Sequence, residues 1–161
     1  MDARTEVNEL LSQLGHSLRL DGLLLDEEDH CILLFDDKII LNVELDEERS
    51  QLVVYAYLGM VPVEHKEHIY ELLLQSNFFW RQTKGATLAL DKQTQTLVLL
   101  YPFELPLRHP ENFEDDLAIF VESAEEWIQK VDDILRKAEE AARYDREHAQ
   151  RKESVNGGYS R

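Results

Sequence analysis

Residues 2–20 carry Val7, Leu10, Leu11, Leu14 and Leu18 at three- and four-residue spacing, with Glu6, Asn8, Glu9, Ser12 and Gln13 between them. That period predicts an amphipathic helix. Gly15 lies inside the pattern, where it costs a helix about 1 kcal/mol relative to alanine, and it allows close packing. Asp21-Gly22 predicts the stop, with Gly22 on the C-cap side. Residues 23–25 and 31–35 are short apolar runs around the acidic turn 26–29. After a second turn at Asp36-Asp37, residues 39–45 alternate cleanly: Ile39, Leu41, Val43 and Leu45 on one face, Ile40, Asn42 and Glu44 on the other. A third polar turn (46–50) leads to a strand over residues 51–58. Strands 31–35, 39–45 and 51–58, joined by short turns, predict an antiparallel meander.

Gly59-Met60-Val61-Pro62 breaks that pattern. Residues 65–76 read as a helix, with Ile69, Leu72 and Leu73 on one stripe widened by Tyr70 and Leu74. Three aromatics, Phe78, Phe79 and Trp80, follow it, then a polar loop with Gly85. Two apolar runs, 87–90 and 96–101, flank a polar turn of hairpin length. Residues 105–110 are held extended by their prolines. The last helix opens near Glu111-Asn112, with Glu114, Asp115 and Asp116 complementing its dipole. Its apolar stripe runs from Phe113 to Leu135, and the helical pattern reaches about Arg151. The order α-β-β-β-α-β-β-α predicts an α+β fold, a twisted antiparallel sheet packed by helices.

Several strands are apolar on both faces. Leu97, Leu99 and Tyr101 alternate with Val98 and Leu100, Leu33 and Phe35 with Ile32 and Leu34, and Leu52 and Val54 with Val53 and Tyr55. One helix layer cannot cover both faces of a five-stranded sheet, so apolar area is left for interaction. A second copy of the chain is one candidate cover. The long last helix is the alternative.

Length and charge narrow the function. A chain of 161 residues implies one domain, large enough to bury about 70% of its unfolded surface without a metal or disulfide. The net charge is −16, and residues 132–161 hold seven acids and seven bases, so the imbalance lies in residues 1–131. An acidic body repels phosphate backbones and attracts basic or mixed-charge polypeptides. Nucleic acid is therefore not an expected partner. No stretch has the ~20 apolar residues of a membrane span, and the acidic N-terminus does not read as a secretory signal. The single Cys31 fits a reducing cytosol.

Catalytic chemistry finds little footing. The glycines form no phosphate-binding loop, so no nucleotide cofactor is expected. His65 and His68 can share a helix face beside Glu64 and Glu67, but a closed metal site needs about four ligands, and a solvated helix start is the expectation. Cys31 follows His30, and adjacent strand residues point to opposite faces. Cys31 is therefore expected as a small core residue. The acids at turns 26–29 and 36–37 are favoured there locally. No catalytic residue, metal or cofactor is expected.

The Leu-rich helix 70–75, Asn77, the cluster Phe78–Trp80, the Gly85 loop, "LALD" (88–91) and "TLVLLYPFEL" (96–105) together resemble the class I type III secretion chaperones, the Tir-chaperone family. The likeness runs from residue 3 to about 136. It implies an ATP-independent, cytoplasmic bacterial homodimer without a catalytic centre, possible multi-effector members included. Such a protein binds the N-terminal segment of secreted effectors in extended form and passes them to the secretion ATPase or export gate. Carried onto this chain, the resemblance places the effector contact at Leu14, Leu18, Leu33, Phe35, Ile40, Leu52 and Val54. It places the dimer interface at Leu72, Leu73, Phe79, Trp80, Leu88, Leu90, Val98 and Leu100. Residues 1–138 form the chaperone-like domain. Residues 139–161 form a charged helical extension whose last residues, 155–161, are expected to be disordered. The alternative is a regulatory or adaptor module of the same fold that binds one folded partner.

Overall fold

A computed structural model describes residues 1–157. The first helix, α1 (Ala3–Leu18), is capped by Asp2, whose carboxylate accepts from the Thr5 amide and hydroxyl, both at 2.9 Å. Val7, Leu10, Leu11 and Leu14 are buried. The helix ends two residues before the predicted stop, and Gly22 does not cap it. Arg19 takes the left-handed conformation (φ 58°, ψ 38°), and the amides of Arg19 and Leu20 bond back to His16 O and Gly15 O. This is a Schellman closure with arginine in the place glycine usually holds. Gly15 makes it possible, because a Cβ there would lie 2.6 Å from Leu20 O.

Residues 23–25 form no strand. The Leu25 amide bonds to Asn8 Oδ1 at 2.9 Å, and Arg4 of α1 pairs with Asp29 and bonds Asp26 O. The sheet has β1 (His30–Phe35), β2 (Ile39–Asp46), β3 (Gln51–Met60), β4 (Thr87–Asp91) and β5 (Thr96–Glu104). Its order is β1-β2-β3-β5-β4, antiparallel throughout. Asp36 and Asp37 both have positive φ in the three-residue β1–β2 loop, where the Lys38 amide donates back to Phe35 O at 2.9 Å. Leu58 is an extra residue between the pairs Tyr57–Val98 and Gly59–Leu97, a β-bulge.

Register sorts the faces. One face carries Cys31, Leu33, Leu41, Val43, Leu52, Val54, Leu88, Leu97, Leu99 and Phe103, all buried. Helix α3 (Phe113–Asn156) packs on this face: Phe103 and Phe113 meet edge-on at 5.4 Å, and Phe113, Leu117, Phe120, Ala124 and Trp127 are buried. Helix α1 lies beside it, since Ser17 donates to Glu114 at 2.6 Å and the Leu107 amide to Glu6 at 2.8 Å. The helices α1 and α3 thus share the inner side.

Helix α2 (Lys66–Asn77) buries Ile69, Leu73 and Ser76. Its end is tied to β4 by Asn77, which bonds both backbone groups of Leu88. The compact unit is Met1–Ile128. From Gln129 the helix continues as a second unit. Within it Arg136 pairs with Asp133 at 3.0 Å and Glu140 at 3.9 Å, and Tyr144 stacks on His148. The helix reaches Asn156, beyond the predicted Arg151, so Val155 and Asn156 are helical and not part of a disordered tail. The remainder of that tail, from residue 158, lies outside the described residues.

Candidate partner-binding surface

Because Cys31, Leu33 and Phe35 turn inward, Ile32 and Leu34 turn outward. They are 60% and 56% exposed, and Ile40, paired with Leu34 across the ladder, is 56% exposed. This apolar patch lies on the sheet face opposite α1 and α3. Toward β3 the same outer face carries an aromatic band: His30 stacks on Tyr55 (6.4 Å), and Tyr55 meets Tyr57 edge-on (5.9 Å). The Tyr55 hydroxyl donates to Glu44 at 3.3 Å, and that of Tyr57 reaches Asp91 at 3.5 Å. Burial, then the Glu44 charge, pushes the Tyr55 phenol up to about 12. Burial, then Asp91, pushes Tyr57 up as well. Asp91 is held low, chiefly by the Gln93 amide.

A second exposed surface follows α2. Leu74, Phe78, Phe79 and Trp80 stand in solvent, and Phe79 and Trp80 both have positive φ (58° and 51°). Bulky residues occupy that region only when their surroundings impose it. Here Trp80 O accepts from the Gly85 amide (3.1 Å) and the Thr83 hydroxyl (3.3 Å), and Trp80 Nε1 donates to Thr87 at 3.3 Å. The following loop is clamped by α3. Ser123 donates to Thr83 O, Trp127 to Gln82 O, and Lys84 pairs with Glu122 and Glu126 at 2.8 and 3.0 Å. The aromatic turn is therefore presented on a fixed base.

Of the residues expected at an effector site, Ile40 and Leu18 are exposed and Phe35 is half-buried. Leu14, Leu33, Leu52 and Val54 are buried in the protomer core, because their strand faces or helix stripe turn toward the helix layer. Ile32, Leu34 and Tyr57 are the outward residues that reasoning by strand left unassigned. Of the residues expected at a dimer interface, Phe79 and Trp80 are exposed, while Leu72, Leu90 and Leu100 are half-buried. Leu73, Leu88 and Val98 are buried within the protomer. Leu74 and Phe78 join the exposed set.

Cys31 is buried and its thiol is pushed up, first by burial and then by Asp26, which makes it a poor nucleophile. Among the described residues no group of three His, Cys, Asp or Glu is placed to hold a metal ion. No helix among them is long and apolar enough to cross a membrane.

The Tir chaperone protein (CesT) family matches residues 9–128. The chain belongs to this family. It is 23% identical over 125 residues to the Tir chaperone of Citrobacter freundii, covering 78% of each chain. It is 30% identical over 127 residues to the transcriptional anti-antiactivator ExsC of Pseudomonas aeruginosa, covering 79% of this chain and 86% of that protein. Among solved structures, the ExsC–ExsE complex aligns with TM-score 0.67 and 29% identity over 80% of this chain and 96% of that one. The HopA1–SchA chaperone–effector complex aligns with TM-score 0.64 and 16% identity over 79% and 96%. The α+β fold with its five-stranded antiparallel sheet is that of the type III secretion chaperones. The family match stops at residue 128, where the second unit begins.

Proposed function

We propose that this member of the Tir chaperone family is a non-catalytic, ATP-independent cytoplasmic chaperone of type III secretion effectors. It holds an extended N-terminal effector segment on the outer face of β1–β3, keeps the effector soluble, and hands it to the secretion ATPase or export gate. The observation that carries this reading is the pair of exposed apolar clusters, one on the outer face of β1–β2 and one at the end of α2. Contiguous exposed apolar surface marks an interaction site. Ile32, Leu34 and Ile40 suit an extended client, whose alternate side chains dock while its backbone pairs with the β1 edge. The rigid Phe78–Trp80 turn with Leu74 suits a second copy, since large aromatics on a fixed base are typical interface anchors. Of the client-side residues carried over from the family, Ile40 alone stands on the outer sheet face; Leu18, on α1, and Phe35, turned inward, do not. Phe79 and Trp80 remain on the dimer side, with Leu72, Leu90 and Leu100 at its margin.

The test separates the two faces. The protein is co-expressed with secreted proteins of the same type III system, and the complexes are sized by light scattering. The reading expects one client per two copies, held through the client's N-terminal segment. Ile32→Ser with Ile40→Ser should release the client and keep the dimer. Phe79→Ser with Trp80→Ser should yield monomers. A client retained by the first variant, or a monomeric wild type, rejects the reading.

A second reading is favoured by one relative. The 30% identity to an anti-antiactivator, and the alignment to its solved complex, support a regulatory module that sequesters a partner. Binding of one folded regulator in place of effector N-termini would decide for it.

A further inference from the structure

The outer sheet face is not uniformly apolar. Ile32, Leu34 and Ile40 occupy its β1–β2 end, and the His30–Tyr55–Tyr57 band adjoins them with Glu44 and Asp91 at its two ends. Each tyrosine hydroxyl reaches one of these carboxylates through a long contact, and Asp91 Oδ1 accepts from the Gln93 and Thr94 amides, which leaves Glu44 and Asp91 Oδ2 with unused acceptor capacity. No lysine or arginine among the described residues forms an ion pair with Glu44 or Asp91. The chain as a whole carries −16, and Arg49, which lines the same surface recess as Glu44, pairs with Asp46. Electron-rich ring faces beside unpaired carboxylates attract ammonium and guanidinium groups.

We infer that this face selects partner segments carrying lysine or arginine a few residues from their apolar anchors, the anchors seated on Ile32, Leu34 and Ile40 and the cation lying along Tyr55 and Tyr57 between Glu44 and Asp91. The inference rests on the outer sheet face being the partner face, and adds what chemistry that face requires. Apolar contact alone tolerates many sequences. A cation requirement supplies discrimination and speeds encounter with an acidic body. It also lets one chaperone accept unrelated clients that share a basic-apolar signature.

The experiment uses the full chain and a phage-displayed library of random twelve-residue peptides. Enriched peptides are remade with arginine and with citrulline, its neutral isostere, and their affinities are measured for wild type and two variants. One is Glu44→Gln with Asp91→Asn, which keeps hydrogen-bonding groups in place. The other is Ile32→Ser with Ile40→Ser. All three proteins are compared by circular dichroism and urea unfolding to verify the fold. The inference expects enriched peptides to place lysine or arginine beside apolar residues. Citrulline should weaken binding about tenfold, by a margin that shrinks with added salt. The carboxamide variant should erase that margin while binding the citrulline peptide as wild type does. If the serine variant abolishes binding but arginine and citrulline peptides bind alike, or if the margin survives in the carboxamide variant, the cation requirement is wrong and the partner face stands. If the serine variant binds as wild type, or no peptide is enriched, both are overturned.

Discussion

Asn77 closes the edge of the sheet at Leu88. Its Nδ2 donates to Leu88 O at 3.0 Å, and its Oδ1 accepts from the Leu88 amide at 2.8 Å. Leu88 belongs to β4, which pairs with β5 alone, so its outward backbone groups would otherwise offer a ladder to a further strand. The asparagine side chain acts as a one-residue mimic of that strand. It also fixes where α2 ends and where the aromatic turn begins. Asn77→Ala should therefore lower stability by about 1–3 kcal/mol, the cost of leaving partly buried backbone groups unpaired. Urea unfolding measures this, and concentration-dependent light scattering should show added self-association through the opened edge. Unchanged stability would mean that water replaces the side chain at no cost.

The Gly15–Arg19 pair makes opposite predictions for two substitutions. Alanine at position 15 would gain about 1 kcal/mol of helix propensity. Its Cβ, however, would lie 2.6 Å from Leu20 O and 3.2 Å from the Leu23 Cβ. The clash is with backbone, so the closure must move, and Gly15→Ala should destabilise by about 1–3 kcal/mol overall. Arg19→Gly should stabilise by up to about 1 kcal/mol, because glycine meets no steric penalty at φ 58°. Thermal unfolding of the two variants checks both signs.

Tyr55 predicts an alkaline transition. Its phenol is raised from 10.0 to about 12, first by burial and then by the Glu44 charge. The raised value means that the folded state holds this proton more tightly than the unfolded one. Its contribution is fully present below pH 10 and is lost as pH rises from 10 toward 12. An ultraviolet phenolate titration should show Tyr55 and Tyr57 ionising late, and Tyr55→Phe should remove one of these late steps. Glu44→Gln should bring the Tyr55 ionisation earlier. A titration unchanged by Tyr55→Phe would reject the assignment.

The element order is legible in the chain because each strand ends at a Gly, Asp or Pro signal and each helix carries its own stripe. The faces are legible only where polar residues mark one of them. Ile40 alternates with Asn42 and Glu44, and it is exposed. In β1, Cys31, Leu33 and Phe35 are as apolar as Ile32 and Leu34, so local pattern cannot say which set faces the helices. That choice is made by pairing with Leu41 and Val43 under α1 and α3, a contact distant in sequence. Leu33, Leu52 and Val54 are core for this reason. The left-handed turn at Phe79 and Trp80 is likewise invisible locally, because it is imposed by bonds to Thr83, Gly85 and Thr87 and by the α3 clamp behind them. Arg19 hides the end of α1, since glycine is the residue that pattern reading looks for at that position.

The C-terminal extension supplies the last prediction. The family match ends at residue 128, and the described part of the second unit is a single charged helix whose named ion pairs, Arg136 with Asp133 and Glu140, are local. Exposed i,i+3 and i,i+4 pairs each contribute only a few tenths of a kcal/mol. A helix stabilised in this way does not carry the fold of residues 1–128, which have their own core of β-strands, α1 and the first turns of α3. Removal of residues 139–161 should therefore leave circular dichroism and the urea midpoint of the remaining chain nearly unchanged. The proposed dimer should persist in sedimentation. Effector binding should persist too if the outer sheet face is the client site, while delivery to the export apparatus can fall if the extension is a recruiting segment. Loss of the folded dimer on truncation would show that the extension is structural, and would move the boundary of the chaperone domain beyond residue 138.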